Sequence, residues 1–357
     1  MSDEPKPTEQ ETEHKRTAVA LVGCGTAGGA HAITVSRHET AELVACTDID
    51  GAKARELAAG HGARAVDTLD ELVAAGPRVV VVAAGPAEQP GIVRRLVELG
   101  FRGGVLCEKP LALSLAEARE TVRYAADHGV TLAVNHQRRF GAPFVRALEL
   151  LRDGRVGAPV RIEAFGPKGT LLDWGPHWID FARMVVDDDP VTWVDGLADF
   201  TEPQAHAGLR LEGHALITWE HAGGVRGVLE TRRTPLGQPL VRMWGTGGAI
   251  EIGCVVSDGD GGWRPGPGLR VVDGSVETDA DIESPLAATQ WLRSLDELIR
   301  ALDEGRQPAH DAARATAALE ICLAGYRAAL GGGRQRLPLD PEYSLREGVA
   351  AGGPDAG

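Results

Sequence analysis

Two kinds of hydrophobic pattern alternate along the first 137 residues. Short apolar runs, such as the β-branched run at 79–83, alternate with longer stretches in which apolar positions recur at helical spacing. Uninterrupted apolar runs are typical of strands covered on both faces, and strands that alternate with helices favour a parallel sheet. The pattern therefore predicts a doubly wound α/β fold for this part of the chain.

The pattern changes after this region. Helical periodicity around residues 144–153 and His177 is followed by strand-like sequence over 191–272 and by mainly helical sequence over 287–331. Consecutive strands without intervening helices favour an antiparallel or mixed sheet, so we predict an α+β domain. The predicted divisions are a disordered N-terminus, the doubly wound domain, the α+β domain and a flexible tail, at residues 1–16, 17–137, 138–340 and 341–357.

Charge and composition narrow the function. A formal net charge of −14 argues against binding to nucleic acid, which requires a basic face. No apolar run approaches the length of a membrane span. The five cysteines are widely spaced without a Cys-x-x-Cys pair, which argues against a disulfide framework or a zinc site and fits a reducing cytoplasm. We therefore expect a cytoplasmic protein that acts on small molecules.

A glycine-rich segment joins the first predicted strand to the first predicted helix. Its G-x-G-x-x-G pattern permits a tight turn, a close approach of the backbone to a pyrophosphate, and close packing of helix on strand. Gly85 and Pro86 end a later strand and are expected beneath the ribose on the nicotinamide side. The residues of the segment predicted to bind the dinucleotide are Gly23, Gly25, Thr26, Ala27 and Gly28.

Asp48 decides which dinucleotide is expected. It ends the second predicted strand, twenty residues after Gly28, where an acidic side chain binds the ribose hydroxyls. The same carboxylate would repel a 2′-phosphate, so we predict NAD rather than NADP. The alternative is a turn residue or a helix N-cap before Gly51.

Lys109 follows a predicted buried strand at 104–107, between Glu108 and Pro110. Of 37 Lys and Arg residues only five are lysines, so a position indifferent to the type of cation would usually carry arginine. The carboxyl end of a parallel strand is where open α/β sheets bind ligands, and a compact amine suits chemistry there. The alternative is a structural salt bridge of Glu108.

A second group of chemical side chains lies on the predicted helix around His177. Asp173, His177 and Asp180 share one face at helical spacing, and Asp180 is interpreted as structural. The alternative for Asp173 is a helix N-cap, which we disfavour because Pro176 would then occupy the third helical position and lacks an N–H to cap.

Residues 135–140 follow the last predicted parallel strand and so also lie at the ligand end of the sheet. His136 and Gln137 are candidates for binding a polyhydroxyl substrate, whereas Arg138 and Arg139 are interpreted as structural. The histidines of the strand-like region lack metal-ligand spacing, so no metal site is predicted, and Lys168 is expected to face water.

These residues together resemble the Gfo/Idh/MocA oxidoreductases, a family that includes glucose–fructose oxidoreductase and inositol dehydrogenases. The resemblance covers about residues 16–340 and departs from many relatives at Gln89, where they carry histidine. It implies a Rossmann domain followed by a mixed-sheet domain whose open face forms dimers or tetramers. It rests on the glycine-rich turn, Asp48, 108–112, 135–140, Asp173, His177, Asp180 and 245–248.

The resemblance implies catalytic roles for Lys109, Asp173 and His177, which would also bind substrate with His136 and Gln137, while Glu108 and Lys109 would border the cofactor. The resulting hypothesis is NAD-dependent oxidation of a secondary alcohol of a sugar or cyclitol, with a histidine as base and a lysine stabilising the alkoxide. The alternatives are a keto-sugar reductase, an NAD-retaining epimerase or glycosidase, and a non-catalytic dinucleotide sensor.

Overall fold

The structure is a computed structural model that describes residues 16–167, 169–232, 239–257, 263–279 and 281–352. The predicted disorder of the N-terminus, apart from Arg16, and the predicted exposure of Lys168 therefore concern residues outside the described ones. Within the described residues the chain forms two large sheets with helices packed against them. The first sheet is built from the N-terminal part of the sequence and the second from the part that follows.

The first sheet has six parallel strands in the order β3-β2-β1-β4-β5-β6. This is the order of a dinucleotide-binding Rossmann sheet, in which all strands are parallel and the strand order reverses between β1 and β4. Its strands are β1 (Thr17–Val22), β2 (Ala41–Thr47), β3 (Arg64–Ala65), β4 (Val79–Val82), β5 (Gly104–Cys107) and β6 (Thr131–Val134). Its helices are α1 (Thr26–Arg37), α2 (Gly51–His61), α3 (Leu69–Ala74), α4 (Gln89–Glu98) and α5 (Leu115–Asp127).

The second sheet has nine strands in the order β16-β15-β14-β13-β7-β12-β11-β8-β17. It is mixed, because β7 and β12 pair in parallel whereas the other neighbours are antiparallel. Its strands are β7 (Pro159–Gly166), β8 (Val191–Asp199), β11 (His214–His221), β12 (Arg226–Thr231), β13 (Val241–Gly245), β14 (Gly248–Ser257), β15 (Trp263–Val272), β16 (Val276–Asp279) and β17 (Gln335–Arg336). A separate hairpin consists of β9 (Gln204–His206) and β10 (Leu209–Leu211).

Helices cover one face of the second sheet. They are α6 (Ala142–Arg152), α7 (Leu171–Val185) and α9 (Ala312–Arg327), while α8 (Thr289–Glu304) lies elsewhere and α10 (Leu345–Gly352) ends the described chain. Alternate sheet residues such as Ile162, Ile217 and Met243 point to these helices and are fully buried, as the two-residue period of a strand requires. The predicted fold class, a Rossmann sheet followed by an α+β domain, is confirmed.

Two features differ from the prediction. Helix α8 packs its Leu295, Leu298 and Ile299 into the hydrophobic core of the first sheet, so residues far beyond 137 complete the core of the Rossmann domain. The tail was predicted to be flexible from residue 341, but α10 is helical and its Leu345 is fully buried. A hydrogen bond from the Leu345 N–H to the carbonyl of Leu113 fixes the start of this helix.

Candidate active site

The predicted cofactor residues converge at the carboxyl ends of the adjacent strands β1 and β4. Gly23 follows β1 with a φ of +92°, and a Cβ there would lie 2.6 Å from the Ala83 carbonyl oxygen that follows β4. A Cβ at Gly28 would collide with the Gly23 carbonyl oxygen. Gly25 is the N-cap of α1 and has open space where a side chain would project. The turn therefore leaves room for a pyrophosphate at a helix N-terminus.

Asp48 lies beside this turn. One of its carboxylate oxygens accepts a hydrogen bond from the Cys24 N–H at 2.6 Å, and the other accepts from the Asp50 N–H at 2.8 Å. The alternative of a helix N-cap is wrong, because Asp50 caps α2. Each carboxylate oxygen has a further lone pair, so Asp48 can still accept hydrogen bonds from ribose hydroxyls.

Replacing Asp48 with alanine is expected to shift cofactor preference toward NADP. The loss of the carboxylate removes the repulsion of a 2′-phosphate and the ribose contact, so the ratio of kcat/KM for NADP over NAD should rise at least about tenfold. Asp70→Ala, on an exposed helix position, is the matched control. An unchanged ratio would remove Asp48 from the cofactor site.

Glu108 is held by two protein side chains, and its predicted position beside the cofactor stays a prediction. Its carboxylate is nearly buried and binds Nε2 of His31 at 2.9 Å and Nδ2 of Asn135 at 2.7 Å. Although burial opposes ionisation, the hydrogen bonds from His31 and Asn135 and the charges of His31 and Lys109 lower the pKa of Glu108. Ser294 of α8 in turn donates to Asn135. Glu108 thus connects the nucleotide-binding helix α1 to the strand that ends at Lys109.

Gln89 holds the backbone on both sides of Lys109. Its side chain is fully buried, and its Nε2 donates to the carbonyl oxygens of Glu108 at 2.9 Å and Pro110 at 2.8 Å. A single amide therefore fixes the loop that carries the lysine. Gln89, where many relatives carry histidine, therefore positions the backbone on both sides of Lys109.

Lys109 contacts the second half of the chain directly. Its ammonium nitrogen lies 2.8 Å from Oδ1 of Asp173 and 2.9 Å from the Asp173 backbone oxygen. The Lys109 side chain is 14 % exposed and that of Asp173 is 37 % exposed, so the pair is partly open to solvent. The two halves thus meet at the lysine and the aspartate that the sequence places in the chemical site.

Helix α7 begins before Asp173. Thr170 is its N-cap and accepts a hydrogen bond from the Asp173 N–H at 3.3 Å. The alternative of Asp173 as N-cap, which the sequence analysis disfavoured, is wrong, and Pro176 lies inside the helix. An acidic residue in the first turn is favoured by the helix dipole, so the placement of Asp173 agrees with ordinary helix chemistry.

His177 lies one turn further along α7 and is buried. Burial lowers the pKa of His177 well below its ordinary value, and the positive charges of Lys109, Arg138 and His136 lower it further. Its Nδ1 has no hydrogen-bond partner among the described residues. At neutral pH the imidazole is therefore neutral and available to accept a proton.

Asp180 is structural, as predicted. Both of its oxygens bind the guanidinium of Arg139, at 2.6 and 2.8 Å, and Oδ1 also lies 3.1 Å from Nδ1 of His136. Burial opposes ionisation, but Arg139 and His136 lower the pKa of Asp180. His136 and Gln137 are both buried beside this ion pair. Their predicted contact with substrate remains a prediction, because the known partner of His136 is a protein carboxylate.

The structure adds two residues that the sequence analysis did not place in the site. Arg138 was interpreted as structural, and it donates to Pro285 and Gln290, but its charge also acts on Asp173 and His177. Burial lowers the pKa of Arg138 to about 10. His206, on the β9–β10 hairpin, lies within electrostatic reach of Asp173 and Lys109. The position of His206 in the sequence does not indicate that it lies near Asp173 and Lys109.

Metal ligation and membrane insertion find no support among the described residues. No group of three or more His, Cys, Asp or Glu side chains is arranged to hold a metal ion in that part of the chain. None of the helices within it combines the length and the apolar character needed for a membrane span. The five cysteines are all free, and four of them are buried.

The protein is similar in sequence and in structure to known dehydrogenases and NAD-binding proteins. The protein is 26% identical over 266 residues to the inositol 2-dehydrogenase of Rhizobium meliloti (strain 1021), a match that covers 69% of this chain and 80% of that protein. It is 34% identical over 185 residues to the myo-inositol dehydrogenase Hyg17 of Streptomyces leeuwenhoekii, covering 50% of this chain and 55% of that protein. The crystal structure of GenD2 from gentamicin A biosynthesis, in complex with NAD, superposes with a TM-score of 0.74 at 26% identity and covers 91% of this chain and 97% of that one.

Two family models match the chain. Residues 17–136 match the oxidoreductase family with an NAD-binding Rossmann fold, and residues 163–251 match the GFO/IDH/MocA C-terminal domain. Together they cover more than half of the sequence, including the first sheet and part of the second. The chain therefore belongs to the Gfo/Idh/MocA family of NAD-binding oxidoreductases.

Proposed function

We propose that this oxidoreductase transfers a hydride between a secondary alcohol of a sugar or cyclitol and NAD. The observation that carries the proposal is the contact of Lys109 with Asp173, one helical turn from a neutral His177 and at the carboxyl end of the nucleotide-binding sheet. The names of the inositol dehydrogenase relatives support a polyol as substrate.

The cofactor would be held by the glycine-rich turn and Asp48, and when bound it supplies the hydride acceptor. His177 accepts the proton of the substrate hydroxyl, because its lowered pKa keeps it unprotonated. Lys109 donates to the same oxygen and stabilises the negative charge that develops there. Asp173 holds the ammonium of Lys109 in place and offers its second oxygen to an adjacent hydroxyl of the substrate.

A screen of inositols, aminocyclitols, hexoses and their phosphates, each with NAD and with NADP, tests the proposal. Formation of NADH with at least one polyol is the expected result, and the reverse assay with the matching ketone measures the preferred direction. Consumption of substrate without net NADH would favour an NAD-retaining reaction. Tight binding of NAD without turnover of any compound would favour a dinucleotide sensor.

We also propose that two copies pair through the face of the second sheet opposite helices α6, α7 and α9. The compartment that we propose for the protein is the reducing cytoplasm. Leu197 on this face of the sheet is 71 % exposed, and the guanidinium groups of Arg161 and Arg242 lie 5.5 and 5.2 Å from the centre of the Trp244 ring. A patch of apolar residues on an exposed sheet face is typical of a protein interface. The residues of the patch are Phe165, Trp193, Leu197, Leu216, Val228 and Trp244.

Leu197→Glu is expected to weaken self-association at least about tenfold, because a buried unpaired carboxylate is costly at an interface. Sedimentation equilibrium of the wild type and the variant measures the effect. Val145→Glu, on an exposed position of α6, is the matched control and should associate as the wild type does. A monomeric wild type would contradict the proposal.

A further inference from the structure

The first turn of helix α7 is anchored by side chains from distant parts of the chain. The N–H of Leu171 donates to Oε1 of Glu212 at 2.5 Å, and the N–H of Leu172 donates to the hydroxyl of Tyr326 at 3.1 Å. Thr170 accepts from the next N–H, that of Asp173. The first N–H groups of a helix have no partner within it. Here each of the first three is satisfied, two of them by tertiary contacts.

Glu212 and Tyr326 are themselves fixed. Both are fully buried, and each accepts a hydrogen bond from a backbone N–H of the first turn of α7. Burial raises the pKa of Glu212 to about 7, against the opposing effects of the Leu171 N–H and Tyr326. Burying a carboxyl group is costly, so its placement at a helix N-terminus, where the dipole favours negative charge, is the arrangement that offsets the cost.

The anchored turn leads directly to the catalytic pair. Asp173 follows Leu172 in the chain, and both its carboxylate and its backbone oxygen accept hydrogen bonds from Lys109. A displacement of the first turn of α7 therefore moves two of the acceptors that hold the lysine. A shift of about 1 Å in a catalytic group costs on the order of a hundredfold in rate.

The same contact restrains the hairpin that approaches the site. Glu212 follows β10 immediately, and Leu211 before it is fully buried. The hairpin carries His206, which lies within electrostatic reach of Asp173 and Lys109. A single carboxyl group thus ties the hairpin to the helix that bears Asp173 and His177.

We propose that Glu212 and Tyr326 are positioning residues, which lock the N-terminus of α7 and so set the distance between Asp173 and Lys109. The catalytic consequence rests on the proposed function, whereas the lock itself does not. Neither residue lies in the Lys109–Asp173–His177 group, and sequence spacing does not connect them to it, since Glu212 and Tyr326 are 41 and 154 residues from their partners.

Hydrogen–deuterium exchange of the NAD-bound protein tests the lock without any substrate. Glu212→Ala should raise the exchange rate of the amides of Leu171 and Leu172 at least about tenfold. Glu212→Gln should restore protection, because its amide oxygen still accepts the hydrogen bond from the N–H of Leu171. Glu202→Ala, an exposed carboxylate ten residues earlier, is the matched control. Unchanged protection in Glu212→Ala overturns the proposal.

Turnover of a polyol that the wild type oxidises tests the consequence. Glu212→Ala should lower kcat between about tenfold and a hundredfold, with the Kd for NAD unchanged, and Glu212→Gln should recover most of the loss. Loss of NAD binding is taken as the sign that a variant has not folded. If Glu212→Ala fails this check, Tyr326→Phe takes its place in both assays. Equal kcat values for the wild type and for a variant with lost protection overturn the positioning role. A wild type that oxidises no polyol contradicts the proposed function and leaves the exchange result to decide the lock.

Discussion

Replacing Lys109 with alanine is expected to lower kcat by two or more orders of magnitude, with the Kd for NAD little changed. The ammonium group stabilises charge that develops on the substrate oxygen, and the loss of one such donor costs on the order of 10²–10³ in rate. Lys109→Arg should also be severely impaired, because a planar guanidinium does not reproduce the position of a compact amine between the two oxygens of Asp173. Steady-state kinetics on a polyol turned over by the wild type measure both effects.

Lys53→Ala provides the matched control for this experiment. Lys53 is 57 % exposed and pairs only loosely with Asp50, at 3.8 Å, so its removal takes away one positive charge without touching the site. Its kcat should stay within about twofold of the wild type, as for most surface substitutions. A Lys109→Ala enzyme that turns over at the same rate as Lys53→Ala would remove the lysine from the mechanism.

Replacing His177 with asparagine is expected to lower kcat/KM between about 10² and 10⁴-fold, the usual contribution of a general base. The pH dependence gives the sharper test. Only neutral imidazole accepts a proton, and burial with the charges of Lys109 and Arg138 lowers the pKa of His177. The wild type should therefore stay active at neutral pH and lose activity only as the pH falls well below 6.5.

The pH profile of the variant completes this test. The acid limb assigned to His177 should be absent from the small residual activity of His177→Asn. His128→Asn is the matched control, because His128 is exposed and its ring hydrogen-bonds the Tyr124 carbonyl oxygen, and its profile should match that of the wild type. An acid limb that persists in His177→Asn would assign the base to another group.

Most of the cofactor half was predictable because its signals are local. Val79–Val82 is a continuous β-branched run and is fully buried in the centre of the sheet, and the glycine pattern fixes a turn whose backbone geometry only glycine tolerates. Thr68 and Ser114 are of the residue type that favours N-caps, and each accepts a hydrogen bond from the third residue of its helix. In such elements the physical cause and the sequence pattern lie within a few residues of each other.

The parts that the sequence did not predict depend on long-range contacts. The helix that completes the first core, Thr289–Glu304, follows the cofactor region by more than 150 residues, and no local pattern says which sheet an amphipathic helix will cover. The partner of Asp180 is Arg139, and the spacing of the two residues in the sequence does not indicate this contact. The tail helix is stabilised by the burial of Leu345 against the body of the protein, which a composition rich in glycine and alanine does not reveal.

Gln89 has a consequence for how this protein can acquire new substrates. The amide that holds both carbonyl groups flanking Lys109 belongs to the cofactor half, and so do both carbonyls. The backbone of the reactive lysine is therefore placed by contacts within the cofactor half. Mutations in the second half can reshape the pocket while the lysine loop keeps its position. Substrate range can therefore change without moving the lysine loop, which makes the second half outside Asp173 and His177 the part to randomise in a directed-evolution library and Gln89 a residue to leave unchanged.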